Sequence, residues 1–299
     1  NFDQHLVLRA LLGAALAGLP AAAMAYLGEE VAPRVQGRAM GLYIAGNALG
    51  GMSGRFLSAL VAEWSSWRVA LGVLGVLGAI AAVIFWRSLP DSRHFTARAA
   101  RPARILSDVR ALFADAAMPS LFLTAFLLMG AFIGLYNYLG FRLMDAPFSL
   151  SQTTIGAIFG LYLIGTLASA WSGHLADRHG RRNILWIMVA VMATGLAATV
   201  AQSLLIIIGG VAVYTFGFFA AHSVASGWVG RRAGERRALA AALYLSSYYL
   251  GASVIGTLSG LAWASLGWMG VALILGACVL ATLLLARLHL RRIEPSSQA

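Results

Sequence analysis

The sequence predicts an all-α protein that crosses a lipid bilayer many times. Of its 299 residues 60% are hydrophobic and only 11% are charged, and the mean hydropathy is +0.79; soluble domains carry about 25% charged residues. The apolar residues form runs close to the ~20 residues that an α-helix needs to cross a bilayer. Arginines are concentrated in the short segments between these runs. Together these three observations predict a multi-pass membrane protein.

Nine apolar runs are predicted to be membrane-spanning helices. They cover residues 6–27, 39–62, 68–86, 118–141, 152–175, 183–201, 204–228, 238–263 and 268–288. The long hydrophilic stretch 87–117 is interpreted as a linker between two bundles, residues 1–86 and residues 118–299. Within this linker, residues 104–115 have apolar side chains on one helical face, which predicts a helix at the membrane surface.

The basic residues are distributed unevenly among the loops. All 22 are arginines, and most lie in 28–38, 87–117, 176–182, 229–237 and the tail from Arg287. The loops on the other side hold only Arg68 and Arg142. Because cytoplasmic loops are enriched in arginine, the first set is predicted to be cytoplasmic, together with the C-terminus. The net charge of +11 also suggests nucleic-acid binding, but its placement in short inter-helix loops argues against that partner.

An internal repeat relates the two ends of the chain. Residues 39–75 align without a gap to residues 240–276, and the informative identities are Tyr43 with Tyr244 and Trp67 with Trp268. Parallel repeats of this kind occur in membrane transporters. Spans four to six have no counterpart in the first bundle. The repeat therefore predicts that three helices are missing from the front, and that residues 1–86 are the remnant of a six-helix bundle.

Residues 173–182 form a basic decapeptide between two apolar runs, and we interpret it as a short turn. Its glycines could allow close backbone packing at Gly173 and a positive φ at Gly180. An ordinary positive-inside loop would explain the arginines but not the glycines and the aspartate at these spacings. The pattern G-x3-D-R-x-G-R-R resembles the signature loop of the major facilitator superfamily, a family of secondary transporters. The matching positions are Gly173, Asp177, Arg178, Gly180, Arg181 and Arg182.

Two weaker patterns agree with this resemblance. Residues 9–13, Arg-Ala-Leu-Leu-Gly, resemble a motif of the fourth helix in the family. The glycines Gly37, Gly46, Gly50 and Gly54 resemble the helix-packing glycines of drug:proton antiporters, from which the chain departs at Gly51 and Arg55. Stretches 40–55 and 217–230 look most like a bacterial branch linked to acriflavine sensitivity.

The resemblance carries expectations about fold and function. It implies the major facilitator fold with nine of its twelve membrane helices present. It also implies proton-coupled efflux of small organic compounds by a monomer in the bacterial inner membrane. The departures at Gly51 and Arg55 leave the direction open, so an importer or uniporter of a polar metabolite stays an alternative.

Polar side chains inside the spans are the candidates for a substrate or proton pathway, because such groups are costly in a membrane. They are Arg9, Tyr43, Asn47, Arg55, Tyr136, Asn137, Tyr162, His222 and Tyr248. The alternative is that they bond across helices or, for the arginines, reach the interface. His222 is either a proton relay or a packed histidine. No Asp or Glu lies inside a span, and the family resemblance implies that the proton-carrying acid could lie in the missing helices.

Other functions are less well supported by the sequence. A membrane enzyme would need a nucleophile–base pair, a metal-ligand cluster or a phosphate loop, and none is recognisable. His174 and His179 flank Asp177, but the arginine-rich turn argues against a metal, and no cofactor is expected. A non-functional fragment is a further alternative.

Asp177 is the subject of one further hypothesis. By the symmetry of the repeat, it is expected near residues 37–40, at the start of the span beginning near Gly37. A helix N-terminus attracts a carboxylate. The alternative is that Asp177 pairs only with the arginines of its own loop.

Overall fold

The computed structural model describes residues 2–17, 19–93 and 102–290, and within these ranges the chain is helical and without strands. The helices of the first part are α1 Phe2–Ala17, α2 Leu19–Glu30, α3 Pro33–Trp64, α4 Trp67–Ser88 and α5 Pro102–Ala114. Those of the second part are α6 Met118–Met144, α7 Gln152–Ile158, α8 Tyr162–His179, α9 Arg181–Ala198, α10 Leu204–Arg232 and α11 Arg237–Leu284. The predicted all-α class is confirmed.

The predicted spans and the helices agree apart from three local differences. The first span is divided between α1 and α2. The fifth contains a 3-10 turn, Phe159–Leu161, between α7 and α8. The last two spans are joined in α11, which bends at Gly267, where φ is +57° and the backbone is not helical. In the described ranges, five helical stretches are long and apolar enough to cross a membrane: α4, α6, the α7–α8 stretch, α10 and the α11 stretch. They cover six of the nine predicted spans, and 6–27, 39–62 and 183–201 stay predictions as membrane spans.

The arginine-rich decapeptide is not an extended turn. Helix α8 continues to His179 and α9 begins at Arg181, so only Gly180 is non-helical. Gly180 has φ +83°, the positive φ predicted from the sequence. The interpretation of residues 173–182 as a turn is therefore wrong for most of its length, because one glycine suffices to reverse the chain.

Contacts divide the chain into two compact units, Asn1–Gly51 with Gly72–Ala100, and Met52–Leu71 with Arg101–Ala299. In the first unit, the Tyr26 hydroxyl donates to the Pro90 carbonyl at 2.9 Å. The Glu30 carboxylate accepts hydrogen bonds from Ser92 and from the Arg93 backbone. The end of α2 is thus held to the segment after α4. The bundle boundaries predicted at residues 86 and 118 stay a prediction.

The core of the second unit forms where α6 packs along α11 and α9 packs along α10. Helix α6 buries one face, including Leu121, Leu128 and Leu135. Gly251 of α11 lies directly against the Phe126 carbonyl of α6. At the end of α6, Arg142 donates to carbonyls of residues 199–201, including that of Ala201 at 2.6 Å. These contacts hold the helices that carry the site described next.

The predicted surface helix is present as α5. Leu112 is buried and the Phe113 ring lies 5.7 Å from the Phe122 ring of α6. Ile105 and Leu106 are exposed. One face of α5 is therefore anchored to the second unit, and its N-terminal half presents apolar side chains outward.

Candidate functional site

Ten side chains of the second unit form one continuous group, which we call the aromatic cluster. It joins α6, the 3-10 turn, α8, α10 and α11, and neighbouring ring centroids lie 3.8–6.4 Å apart. Its members are Phe132, Tyr136, Phe159, Tyr162, Tyr214, Phe218, Phe219, His222, Tyr244 and Tyr248. Four of the predicted pathway residues, Tyr136, Tyr162, His222 and Tyr248, thus meet in one place.

Tyr136 is held in the cluster by a hydrogen bond across helices. Its hydroxyl lies 2.7 Å from Thr215 Oγ1, and Thr215 Oγ1 donates to the Val211 carbonyl at 2.7 Å. A threonine hydroxyl has one proton, so Tyr136 is the donor to Thr215. Both side chains are buried. The pair fixes the phenol of α6 against α10 and fills the hydrogen-bonding capacity that burial would otherwise leave unmet.

His222 lies at the other side of the cluster, among aromatic rings. Its Nδ1 is 3.0 Å from the Tyr244 hydroxyl. Its ring stacks on Phe218 at 5.9 Å and lies 4.9 Å from the Tyr248 ring. If the Tyr244 hydroxyl donates to Nδ1, the proton of the neutral imidazole is on Nε2. This arrangement holds the histidine in one orientation and is compatible with both the relay and the packing interpretations.

Arg55 of α3 lies beside the same cluster. Its guanidinium carbon is 4.9 Å from the centroid of the Phe159 ring, a cation–π distance. Its positive charge also acts on the phenols of Tyr136 and Tyr162. In the part of the chain that the structure describes, no carboxylate forms an ion pair with Arg55. A fifth predicted pathway residue is therefore part of this site.

The remaining predicted pathway residues are not members of the aromatic cluster. Asn137 follows Tyr136 on α6 and is exposed, on the side facing Gly256 of α11. Arg9 lies on α1, and Tyr43 and Asn47 lie on the part of α3 that belongs to the first unit. These three stay candidates without a described connection to the cluster.

The part of α3 that carries Arg55 makes further contacts with α7. Glu63 Oε2 accepts a hydrogen bond from the Thr153 backbone at 2.5 Å. A side chain at Gly156 would collide with Ala59 and touch Phe56. A cavity of about 490 Å³ lies here, lined by Met52, Ser53, Phe56, Leu57, Gly156, Ala157 and Gly160. It borders the residues that bring Arg55 and Phe159 together.

Ion pairs gather three arginine-rich segments at one end of the second unit. Asp177 accepts from Arg181 and from Arg231 of α10, both at 2.7 Å. Asp115, before α6, pairs with Arg232 at 2.7 Å. Asp108 of α5 pairs with Arg236 at 2.8 Å. Asp177 is therefore bonded beyond its own loop. Most side chains of residues 37–40 lie outside the part of the chain that the structure describes, so the contact of Asp177 with these residues stays a prediction.

The carboxyl of Asp115 titrates below its ordinary range. Partial burial acts to raise its pKa, but the hydrogen bond from Arg232, the backbone N–H groups of Ala117 and Met118, and the positive charge of Arg232 together lower the pKa below 3.8. Asp115 is thus ionised at neutral pH and holds the start of α6 to the end of α10.

Other predicted residues are located as follows. Arg178 and Arg182 are on the surface around Gly180. At Gly46, Gly50, Gly54 and Gly173, an added Cβ would meet no described atom within 4 Å. The side-chain environment of Gly37 lies outside the described part, and the packing role of all these glycines stays a prediction. No group of three metal-ligating side chains occurs among the described residues.

Six of the ten members of the aromatic cluster were not anticipated from the sequence. Phe132, Phe159, Phe218 and Phe219 are apolar residues in apolar runs, where nothing distinguishes a pathway wall from a core. A usable signal existed for Tyr244, because the repeat matches it to Tyr43, a predicted pathway residue.

These features define the class: a multi-pass helical membrane protein with a polar and aromatic site enclosed by its helices. The chain belongs to the Major Facilitator Superfamily, whose family profile matches residues 1–148 and 141–299. The members of this superfamily are transporters rather than enzymes.

Three relatives illustrate this membership. The chain is 44% identical over 264 residues to the "Uncharacterized MFS-type transporter YybF" of Bacillus subtilis, covering 88% of this chain and 65% of that protein. It is 44% identical over 258 residues to the "Inner membrane transport protein YnfM" of Escherichia coli, covering 86% and 62%. A "Probable sugar efflux transporter" of Helicobacter pylori is 27% identical over 177 residues, covering 58% and 44%. The chain thus spans less than two thirds of the length of these relatives.

Proposed function

We propose that the protein is a proton-coupled secondary transporter that exports small organic molecules by alternating access. The observation that carries this proposal is the aromatic cluster, in which Tyr136, Tyr162, His222 and Tyr248 from separate helices meet, with Arg55 against its Phe159 ring. Polar groups inside a membrane are costly and usually face a substrate pathway or another helix. Convergence of five such groups favours a pathway over scattered packing bonds.

Proton coupling requires a group that gains and loses a proton near neutral pH. Two histidines, whose unperturbed pKa is in that range, lie inside the predicted spans: His174 at the end of 152–175, and His222 further inside 204–228, which belongs to the cluster. All 11 acidic residues lie outside the predicted spans. We therefore propose that His222 takes part in coupling, and that a carboxylate in the three helices implied by the repeat carries the proton.

The setting of the transporter is also a proposal. The relative named an inner membrane transport protein supports a bacterial inner-membrane location. The gathering of three arginine-rich segments by ion pairs supports a common cytoplasmic face that includes the C-terminus. A monomer with twelve membrane helices, no resident cofactor and no nucleic-acid partner completes the proposal.

Import or uniport of a polar metabolite is the second candidate. It is favoured by the departures at Gly51 and Arg55 from the glycine pattern of drug:proton antiporters. The relative named as a sugar efflux transporter favours export, but its match covers only part of this chain. Direction must therefore be measured.

Inverted membrane vesicles distinguish these two functions. With the full-length gene product expressed, an acid-inside pH gradient is established and followed with acridine orange while candidate organic compounds are added. Proton antiport predicts that a substrate dissipates the gradient, and that vesicles lacking the protein show no such response. Substrate uptake into these vesicles that is insensitive to a protonophore would instead indicate uniport and contradict the proposed coupling.

A further inference from the structure

We infer that the aromatic cluster and Arg55 form a binding site for small organic anions that carry an aromatic ring. The inference rests on the proposed transport function and specifies the chemistry of the substrate. Arg55 would contact the anionic group, and the rings around Phe159 would contact the ring of the substrate. Neither the family match nor the names of the relatives assign such a substrate.

Arg55 gives the site a positive charge. Arg55 lies in the interior half of its span, against the ring of Phe159. None of the 11 acidic residues lies in any predicted span, and no described carboxylate pairs with Arg55. A guanidinium removed from water is strongly disfavoured without an acceptor. This chain thus contributes a positive charge to the site and no negative one, which favours an anionic ligand.

The free hydrogen-bond donors of the aromatic cluster also favour an anionic ligand. In the described part of the chain, the hydroxyls of Tyr162 and Tyr248 form no hydrogen bond, whereas that of Tyr136 is engaged by Thr215. A free phenol is a good donor to a carboxylate, and hydrogen bonds to ionised acceptors are about twice as strong as neutral ones. The charge of Arg55 acts on the phenol of Tyr162, and a guanidinium and a free phenol beside it are groups that carboxylate recognition uses.

The aromatic part of the ligand follows from the flat surfaces in the cluster. Phe132 and Phe218 stack with centroids 3.8 Å apart, and Phe159 and Tyr162 meet edge to face at 5.8 Å. A planar ring can extend such an array, with a favourable contribution beyond its buried area. A cavity of about 490 Å³, within the roughly 300–1,000 Å³ of small-molecule sites, lies beside this site and is lined by chain neighbours of Arg55 and Phe159 rather than by the cluster itself.

An aromatic site could also accept an organic cation, because ring faces attract positive charge. Here, however, a ring face is already occupied by Arg55 over Phe159. A second cation at this site would be repelled by the guanidinium, and the described residues place no carboxylate there to offset the repulsion. The arrangement therefore selects an anion over a cation of the same shape.

Three molecules of nearly equal shape test this selection. Benzoate is anionic, benzamide is neutral and benzamidine is cationic, and 1-naphthoate provides a larger anion. Binding to the purified full-length protein in detergent is measured by calorimetry. We expect benzoate or 1-naphthoate to bind at least about tenfold more tightly than benzamidine. Equal or tighter binding of benzamidine, or no binding of either anion, would overturn the inference.

Variants assign the contact to Arg55. We expect Arg55→Gln to weaken anion binding at least about tenfold and Arg55→Lys to retain part of it. The control is Arg68→Gln, which removes an exposed arginine that stacks on Trp67 away from the cluster. An unchanged anion preference in a folded Arg55→Gln protein would contradict the inference. Ring contact is tested with hexanoate, which should bind more weakly than benzoate, and equal binding would contradict that part.

The binding assay separates this inference from the proposed function. Calorimetry needs no pH gradient. Anion binding without gradient-driven flux would therefore contradict proton-coupled export but still support the inferred substrate class. Conversely, gradient-driven flux of cations without anion binding would remove the substrate class and leave the export proposal standing.

Discussion

His222 is the residue on which the proposed coupling depends most. It is held by the Tyr244 hydroxyl at 3.0 Å and is surrounded by aromatic rings of α10 and α11. Such a histidine can pass a proton between two sides if either ring nitrogen becomes accessible. The same contacts would also suit a histidine that only packs, so the choice between them requires a functional measurement.

We predict that His222→Gln abolishes transport driven by a pH gradient while leaving expression in the membrane intact. Glutamine keeps a similar volume and a polar end but cannot be protonated near neutral pH. The control is His174→Gln, an exposed histidine of α8, which should leave transport unchanged. An unchanged pH dependence of transport in His222→Gln would return this residue to a packing role.

Asp115 should make stability dependent on pH in the acid range. Its pKa is lowered in the folded protein, so its stabilising contribution is fully present above the ordinary value near 3.8 and is lost as pH falls through the lowered one. We expect Asp115→Asn to reduce stability in detergent by about 1 kcal/mol at pH 7. Thermal unfolding of both proteins between pH 7 and pH 3 measures this. A difference that does not shrink toward pH 3 would contradict the assignment.

The polar residues of the aromatic cluster could be predicted from the sequence, but its apolar residues could not. The predicted polar residues Tyr136, Tyr162, His222 and Tyr248 do converge, because a polar group in an apolar run is conspicuous. Their apolar neighbours, such as Phe132 and Phe218, could not be predicted as part of the site. Burial and ring stacking depend on how α6 and α10 are rotated against each other, and local sequence does not encode that rotation.

At the scale of helices, the close approach of α6 and α11 determines the shape of the second unit. Gly251 lies against the Phe126 carbonyl, and a side chain there would meet backbone rather than a movable side-chain tip. Small residues allow membrane helices to pack this closely and gain van der Waals contact. The position of Tyr244 and Tyr248 opposite α10 depends on this packing.

We predict that Gly251→Val destabilises the protein by at least about 1–3 kcal/mol, because the added atoms must push α11 away from α6. Gly276→Val is the matched control on the same helix, since an added Cβ there meets no described atom within 4 Å. The comparison is made by thermal unfolding in detergent. Equal losses for the two variants would show that the α6–α11 contact does not limit stability.

The helices themselves were largely predictable, and their ends less so. Apolar run length predicted the spans, and the arginine-rich pattern of residues 173–182 predicted the reversal at Gly180. The pattern did not reveal that α8 continues through Asp177 to His179. A sequence of charged residues between two apolar runs has the same composition whether it is helical or a loop. The helical state is favoured here by the Asp177–Arg181 pair, one turn apart.

For the whole molecule, Asp177 is predicted to bias the state that is closed at the cytoplasmic side. The repeat makes its loop equivalent to a first-half loop in the missing helices, and by this symmetry the helix start that Asp177 is expected to face is residues 37–40, which attracts a carboxylate. We expect Asp177→Asn to speed the labelling of a cysteine on the inner cavity wall. The control is Arg231→Gln, which breaks only the bond from Asp177 to α10. Equal acceleration in both variants, or none in Asp177→Asn, would contradict the role across the two halves.

We propose above all that the aromatic cluster lines a pathway that opens alternately to the two sides of the membrane. Asn137 is the most suitable reporter, because it is exposed and adjacent to Tyr136 on α6. In a background in which Cys278 and any other native cysteine are replaced, Asn137→Cys is treated with a membrane-impermeant maleimide from either face. Gln202→Cys and Arg178→Cys, both exposed and at opposite ends of the helices, report one face each.

We predict that Asn137→Cys is labelled from both faces of the membrane, whereas each control is labelled from one face. Added substrate should change the two labelling rates of Asn137→Cys in opposite directions. Labelling of Asn137→Cys from a single face, or from neither, would contradict alternating access through the aromatic cluster.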